Sequence, residues 1–436
     1  MSNPIQSPRR APLALGLVAL IWTAGCGRGV PAGPNVLLIT VDTLRADYLE
    51  PYGSAPPSSP ALAEFAAGAT VFDEAWSTCS WTLPSLASLH TGLHSSAHGC
   101  WQFDSRLDWR ADTLAERFAA GGWDTAGIVN HVFLGRKHGL NQGFVNYDDE
   151  LVKDFGPSHQ AVTSETVSDR GVEFIEAKAT ADDGRPWFLW LHYFDPHAAF
   201  KFHPAQSPAF GTEEDQDLYR GEIAFTDFHI GRVLDALAEQ GLDSDTVVVV
   251  IADHGEEWNE HGRRGHGHNL HRETLRVPLI VRVPGAEPRR VATRVSNVDV
   301  APTLLELAGL EDLPGGSGRS LVPLLEGEAL EDVPALAELG RRGPERQTSL
   351  GSGQWKLILH EPEGRAELYD VQADPDESRD LAAERPRIVE QLTAELRARR
   401  EAAIVSAPLD LEASESVQLG GAERAGLEAL GYVEGE

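Results

Sequence analysis

From residue 35 onward the chain alternates almost wholly apolar runs with stretches whose apolar residues recur three and four positions apart. The runs at 36–41, 187–193, 246–252 and 278–283 hold very few polar positions. Strands of that kind are covered on both faces, as in a parallel sheet flanked by helices. Helical periodicity falls at 59–67, 112–120, 218–240 and 300–308. The alternation predicts an α/β fold built on a doubly wound, mostly parallel sheet. A Pro- and Gly-rich acidic stretch at 311–335 interrupts the pattern and reads as a connector. Beyond it, 354–360 and 367–370 read as strands of a small antiparallel unit, with 386–403 as a helix packed on it. The expected organisation is therefore a large domain over 35–325, a small C-terminal α+β domain over 340–405, and a tail over 406–436.

The N-terminus follows a different logic. Arg9-Arg10 precede an apolar run over 11–24 that is too short to span a bilayer comfortably. The run ends in Thr23-Ala24-Gly25-Cys26, which resembles a bacterial lipoprotein cleavage site with Cys26 as the lipid-bearing residue. Residues 1–26 are then a lipoprotein signal segment and 27–34 (GRGVPAGP) a flexible tether. An ordinary signal peptide cleaved nearby is the alternative. Either reading sends the protein out of the cytoplasm; the first anchors it by lipid to the membrane, on the periplasmic or outer surface. In an oxidising compartment Cys79 and Cys100 either form a disulfide or stay as buried thiols.

Composition narrows the partners. The net charge of −30 excludes a nucleic-acid footprint and disfavours anionic headgroups, while it suits a bound divalent cation. In a doubly wound sheet, ligands sit beyond the carboxyl ends of the strands. Asp42 directly follows NVLLITV, Asp253-His254 directly follow TVVVVIA, and Asp195 and His197 follow WFLWLHYF. A single such aspartate serves equally well as a helix or turn cap. Three strand ends finishing this way point to one crevice, where carboxylates and an imidazole suit a divalent ion. The segment Ser80-Trp81-Thr82-Leu83-Pro84-Ser85 leads into a predicted helix over 84–91, with Pro84 at its first position. Thr82 then stands just before a helix N-terminus, where exposed N–H groups and the dipole attract an oxyanion. Beside a metal its hydroxyl becomes easier to deprotonate. The alternative is that Thr82 merely caps the helix.

Taken together, these segments resemble the sulfatase family of the alkaline phosphatase superfamily. NVLLITVDTLRAD (35–47) is similar to the opening strand and metal loop, and TLPSLASLHTGLHSSAHG (82–99) to the active-site helix. DTVVVVIADHGEEWNEHG (245–262) and LRVPLIVRVPG (275–285) are similar to the second metal loop and the strand after it. WKLILHEPEGRAELYDVQADPDESRDLA (355–382) resembles the small C-terminal domain, and GLEALGYV (426–433) the closing segment of exported relatives. The resemblance implies one divalent ion (Ca, Mn or Zn) held by Asp42, Asp253, His254 and Thr82. It implies Thr82 as nucleophile and His197 as the histidine that contacts the oxyanion or protonates the leaving group. Arg45, Asp195, His266 and His268 fall on the substrate side. His131 reads as a packed structural histidine.

Two departures change the expected chemistry. The formylglycine pattern Cys/Ser-x-Pro-Ser-Arg is replaced by Thr82-Leu83-Pro84-Ser85-Leu86. A hydrated aldehyde expels sulfate by collapsing to the carbonyl, and a sulfated threonine has no such route. A phosphothreonine is instead cleaved by in-line attack at phosphorus, as in superfamily phosphodiesterases and phosphoglycerol- or phosphoethanolamine-transferases. Thr43 stands where many sulfatases carry a second aspartate, which lowers the oxygen count and favours Mn or Zn over Ca. A two-metal site using Asp195, His197 and His266 or His268 is the alternative arrangement. The expected function is hydrolysis or transfer of a phosphoester, with true sulfuric ester hydrolysis and a catalytically silent envelope binding protein as competing readings. The substrate is a small-molecule, glycan or lipid ester. Loops 98–112 and 198–217, with Trp101, Trp109, Phe200 and Phe202, either line its mouth or simply pack.

Overall fold

The apolar runs assemble as the middle of one sheet. A computed structural model describes residues 33–154, 162–181, 183–340, 346–409, 416–418 and 420–421; the expected signal segment, Cys26, most of the tether and most of the tail lie outside them. The strands of the large body are β1 (Asn35–Val41), β2 (Thr70–Trp76), β3 (Asp124–Ile128), β4 (Asn146–Asp148), β5 (Trp187–Tyr193) and β6 (Thr246–Ala252). They continue with the short pair β7 (Glu257–Trp258) and β8 (Arg264–Gly265), then β9 (Arg276–Arg282), β10 (Arg289–Val291) and β11 (Val295–Ser296). The nine-stranded sheet runs β10-β2-β9-β6-β1-β5-β3-β4, with β11 also on β2. β1, β5 and β6 are buried along almost their whole length, which is why they read as unbroken apolar runs.

One expectation is corrected. The run at 278–283 lies in β9, which is antiparallel to both its neighbours, β2 and β6. An unbroken apolar run reports burial on both faces but says nothing of direction. The chain between β6 and β9 makes an excursion through the β7–β8 pair rather than a helical crossover, so it re-enters the sheet reversed. Shorter strands escaped the pattern because β2 carries Asp73 and Glu74 at its centre and β3 is five residues long.

The C-terminal unit has its own core. Four antiparallel strands, β12 (Ala335–Gly340), β13 (Arg346–Ser352), β14 (Trp355–Glu361) and β15 (Arg365–Asp370), pair in chain order. The sheet thus opens at Ala335, inside the stretch read as connector, and holds two strands beyond those legible by pattern. Leu336, Leu350, Leu357, Leu359 and Leu368 meet Leu392 and Leu396 of the helix Pro386–Ser406. Cys79 and Cys100 are buried thiols that form no disulfide with each other.

The two sheets are joined by a buried polar knot. Lys356 of β14, 2 % exposed, donates to both oxygens of Glu377 at 2.8 and 2.9 Å. Glu377 also receives His271 Nδ1 at 3.1 Å and the Arg272 N–H at 3.2 Å, both on the loop that leaves the large sheet. Burial pushes the Glu377 carboxyl up, but Lys356 and His271 more than offset this and hold it at about 2. Lys356→Met strands that carboxylate without its cation and should cost about 3–5 kcal/mol in denaturant unfolding. Because the folded-state value is depressed, the stabilisation is present above the ordinary glutamate range of about 4.3 and is lost as pH falls towards 2. The variant should therefore lose much of its acid sensitivity between those limits.

Candidate active site

Sheet register brings the two aspartates together. Val41 pairs with Tyr193 on one side and Ala252 on the other, so β1, β5 and β6 end level. The Asp42 N–H then donates to the Tyr193 carbonyl at 2.9 Å, and the Asp253 N–H to the Val41 carbonyl at 3.3 Å. Asp42, Asp253 and His254 consequently place ligand atoms within 4.8 Å of one another, all buried. His254 Nε2 lies 3.6 Å from Asp42 Oδ1 and 3.4 Å from Asp253 Oδ2. Its Nδ1 donates to the Gly255 carbonyl at 2.9 Å, which leaves Nε2 with its lone pair facing the carboxylates. Gly255 is required here, because a Cβ would stand 2.0 Å from the Glu273 carbonyl oxygen.

The helix Thr82–Thr91 begins at Thr82 itself, so Pro84 occupies its first turn rather than its first position. The cap is Trp81, with no side-chain cap bond. Thr82 is thereby released from the capping role that was its alternative, and its Oγ1 lies 3.3 Å from His254 Nε2. Ser85 pins the helix in place: its hydroxyl donates to the Asp253 carbonyl at 2.6 Å, and Asn297 Nδ2 donates to the Ser85 carbonyl at 3.1 Å.

Both oxygens of Asp42 and Oδ2 of Asp253 are buried with no hydrogen-bond partner among the described residues. Burial, then the charges of Asp253 and Glu256, push the Asp42 carboxyl well up. Burial likewise raises Asp253, and takes Glu256 to about 8. Orphaned acceptors facing an imidazole lone pair and a hydroxyl fit a divalent cation. A second group of suitable type, Glu257, His261 and Glu273, makes the contrast. There Glu257 already accepts from the His261 and Arg263 N–H groups, each at 2.9 Å, and His261 Nδ1 meets Glu273 at 2.8 Å.

Three histidines join the cluster as expected or better. His197 has its ring 4.9 Å from that of His266, which lies 4.5 Å from that of His254. His197 Nδ1 donates to the Ala198 carbonyl at 2.7 Å. His131, read as structural, instead faces the site: its Nδ1 accepts from the Phe133 N–H at 3.1 Å, so the proton sits on Nε2, 3.8 Å from Asp42. His192 was missed altogether. Its Nε2 is 3.4 Å from Asp42 Oδ2 and its Nδ1 2.8 Å from Thr40 Oγ1. The signal was a single imidazole inside the strand WFLWLHY, where burial forbids an unpartnered polar group. Burial keeps His192 neutral, down to about 3, and His131 well below its ordinary range.

Three substrate-side expectations are corrected. Arg45 is 8 % exposed and its guanidinium pairs with Asp47 at 2.8 Å and Glu260 at 2.6 Å, so it fastens the 256–260 loop. Asp195 Oδ2 accepts from the N–H and hydroxyl of Ser164 at 2.7 and 2.6 Å, and from the Thr163 N–H at 3.0 Å. It holds the start of the helix Ser164–Thr180, the bland role open to any lone aspartate. His268 is exposed, and His266 is the member of that pair whose ring lies beside His254.

A parallel-centred α/β sheet with a hydroxyl, carboxylates and imidazoles gathered at its strand ends defines a hydrolase of the alkaline phosphatase type. Residues 34–310 match the family model Sulfatase, and 260–402 match the C-terminal model of N-sulphoglucosamine sulphohydrolase. The chain belongs to the sulfatase family, within the alkaline phosphatase superfamily, and is a hydrolase. It is 25 % identical over 425 residues to the uncharacterised sulfatase YidJ of Escherichia coli (strain K12), covering 80 % of this chain and 83 % of that one. To arylsulfatase K of Gallus gallus it is 33 % identical over 197 residues, 41 % of this chain but only 36 % of the relative. Among solved structures, the phosphonate monoester hydrolase of Agrobacterium radiobacter superposes with a TM-score of 0.73 at 22 % identity, covering 88 % of this chain and all of that one. A structure titled BT4656 in complex with D-glucosamine-2-N,6-O-disulfate gives 0.73 at 20 % identity, covering 86 % and 99 %. At that identity these likenesses speak for the fold.

The orphaned charge makes a sharp prediction. In chelated protein, Asp42→Asn should melt at the same temperature as the parent or higher, because a buried uncompensated carboxylate is removed. Added Mn or Zn should raise the melting temperature of the parent, by about 2.7 kcal/mol of stabilisation at a hundredfold excess over Kd, and leave Asp42→Asn unmoved.

Proposed function

We propose that the protein is an exported, metal-dependent phosphoester hydrolase or transferase with Thr82 as its nucleophile. The observation that carries this is the Thr82 hydroxyl, free of any capping bond at the start of a buried helix and 3.3 Å from His254 Nε2. Asp42, Asp253, His254 and Thr82 would hold the ion. With one imidazole among four donors and Thr43 in place of a further carboxylate, Mn or Zn suits the set better than Ca. A divalent cation held by these residues would make the threonine hydroxyl easier to deprotonate and offset charge on the ester's oxygens. Thr82 Oγ attacks phosphorus as the bond to the leaving oxygen breaks in line. His197 commits its Nδ1–H to Ala198, so Nε2 carries the lone pair; it would take up there the proton that Thr82 gives up and pass it to the leaving oxygen. Water or an acceptor alcohol then attacks phosphorus and frees Thr82.

Phosphonate monoester hydrolases among the structural neighbours support phosphorus chemistry on this scaffold. The sulfatase names of the sequence relatives favour the second reading, sulfuric ester hydrolysis. The structures titled with sulfated sugars or neocarrahexaose support a glycan ester as substrate. A silent binding protein has no physical need for orphaned carboxylates in its interior.

Thr82→Ala should abolish turnover by several decades while melting within about 1 kcal/mol of the parent, since no cap is lost. Thr82→Ser should keep part of the activity, and acid quench should trap phosphothreonine. Efficient cleavage of aryl sulfates with no phosphoester turnover would overturn the phosphoester reading. Cys26 is proposed as the lipidated first residue of the mature protein. Cys26→Ala should release the protein from the membrane fraction, and a mature N-terminus mapped elsewhere would refute the anchor.

A further inference from the structure

The helix that begins at Thr82 ends beside a second cavity. It stops at Gly92, whose φ of 67° closes the last turn and whose carbonyl accepts the Ser317 N–H at 2.8 Å. Ten residues at about 1.5 Å each separate that end from Thr82. Here a chamber of about 490 Å³ lies between residues 294–299 of the large body, the start of β12 and the helix Pro386–Ser406. Its volume is in the range of small-molecule pockets, and it shares no lining residue with the group at Asp42, Asp253 and His254.

Val298, Val333, Leu336 and Ala403 give the chamber apolar walls. Two polar groups in the same lining are unsatisfied. The His94 side chain is 7 % exposed, and its Nδ1 has no hydrogen-bond partner among the described residues. Nε of Arg294 has none either. Burial lowers His94 to about 4, so at neutral pH its ring is a neutral donor and acceptor. A polar group orphaned in the interior costs about 1–3 kcal/mol, and a ligand that bonds it removes that cost.

Charge points the same way. Arg319 lines the chamber, and its guanidinium donates to the backbone carbonyls of Glu331 and Arg294 and to no carboxylate of the described residues. Asp299, in the same lining, spends its two oxygens on backbone groups, the Arg319 N–H and the Ser296 N–H, each at 2.8 Å. Arg294 and Arg399 are balanced, by Asp332 at 3.2 Å and Glu395 at 3.1 Å. In a chain of net charge −30, one cation at an apolar chamber is thus left without a carboxylate.

We propose that this chamber binds a small amphiphilic anion, its apolar body against Val298, Val333, Leu336 and Ala403 and its head on Arg319 and His94. Guanidinium groups accept carboxylate and phosphate heads alike through paired N–H donation. The site stands whether or not Thr82 is the nucleophile.

The test is calorimetric titration of the full chain with octanoate, octanesulfonate and octylphosphonate, all below their micelle-forming concentrations. None carries an ester to be cleaved, and the three heads identify the preferred anion. At least one should bind as a single molecule per chain, about tenfold or more tighter than octanol. Arg319→Met should weaken it by about tenfold and His94→Phe by at least about threefold. Ala402→Trp, at an exposed position on the rim, should block it without altering charge and so decides if Arg319→Met melts early. Thr82→Ala should bind as the parent does. No saturable binding, octanol bound as tightly as the anions, or binding that survives Ala402→Trp but is lost in Thr82→Ala would overturn the site.

Discussion

The structure is organised around a carboxylate that cannot be comfortable where it stands. Asp42 is fully buried, both its oxygens lack hydrogen-bond partners among the described residues, and Asp253 lies beside it. Removing an ion from water costs several kcal/mol even after relaxation, and a fold tolerates this only where something rigid holds the group. Here the rigidity is the pairing of β1 with β5 and β6, which leaves Asp42 and Asp253 tied by backbone hydrogen bonds to neighbouring strand ends. Thr43 shows the strain of the arrangement. It adopts a φ of 53°, outside the range a β-branched residue prefers, and turns its N–H to Asp253 Oδ1 at 3.2 Å.

The surrounding histidines do not neutralise that charge. Burial holds His192 and His131 in their neutral forms, and with Nδ1 of His131 accepting a backbone N–H, its Nε2–H points towards Asp42. Neither imidazole hydrogen-bonds Asp42, so the neutral rings line the carboxylate without cancelling its charge and leave the space between Asp42, Asp253 and His254 to a cation.

What could be read from sequence follows from this physics. Strand ends were legible because burial on both faces leaves an unbroken apolar run, and a charged residue immediately after such a run is conspicuous. The direction of β9 was not, since periodicity is blind to polarity of the chain. Arg45 and Asp195 were misread for a related reason: residue type shows that a group needs a partner, not where the partner comes from. The Glu260 that claims Arg45 is 215 positions away, and the Ser164 that claims Asp195 is 31 positions upstream. His192 was hidden by its surroundings, and His131 was discounted because its motif alone carried no spacing signal.

The small C-terminal sheet belongs to the site although none of its side chains enters the metal-binding group. Residues between β6 and β9 carry Asp253, His254, Glu256 and His266, and this loop departs from the sheet with little regular structure of its own. Its far end is clamped by Glu377: His271 and the Arg272 N–H bind the carboxylate, Lys356 neutralises it, and His261 Nε2 lies 3.1 Å from the Glu377 carbonyl. His261 and His271 stack with their rings 3.6 Å apart. A loop anchored at one end by strand register and at the other by a buried ion pair has few ways to move His266 relative to His254. Preorganisation of that kind makes the position of a catalytic group depend on packing well away from the chemistry, and it gives the buried polar knot at Glu377 a role that an apolar seam alone would not fill.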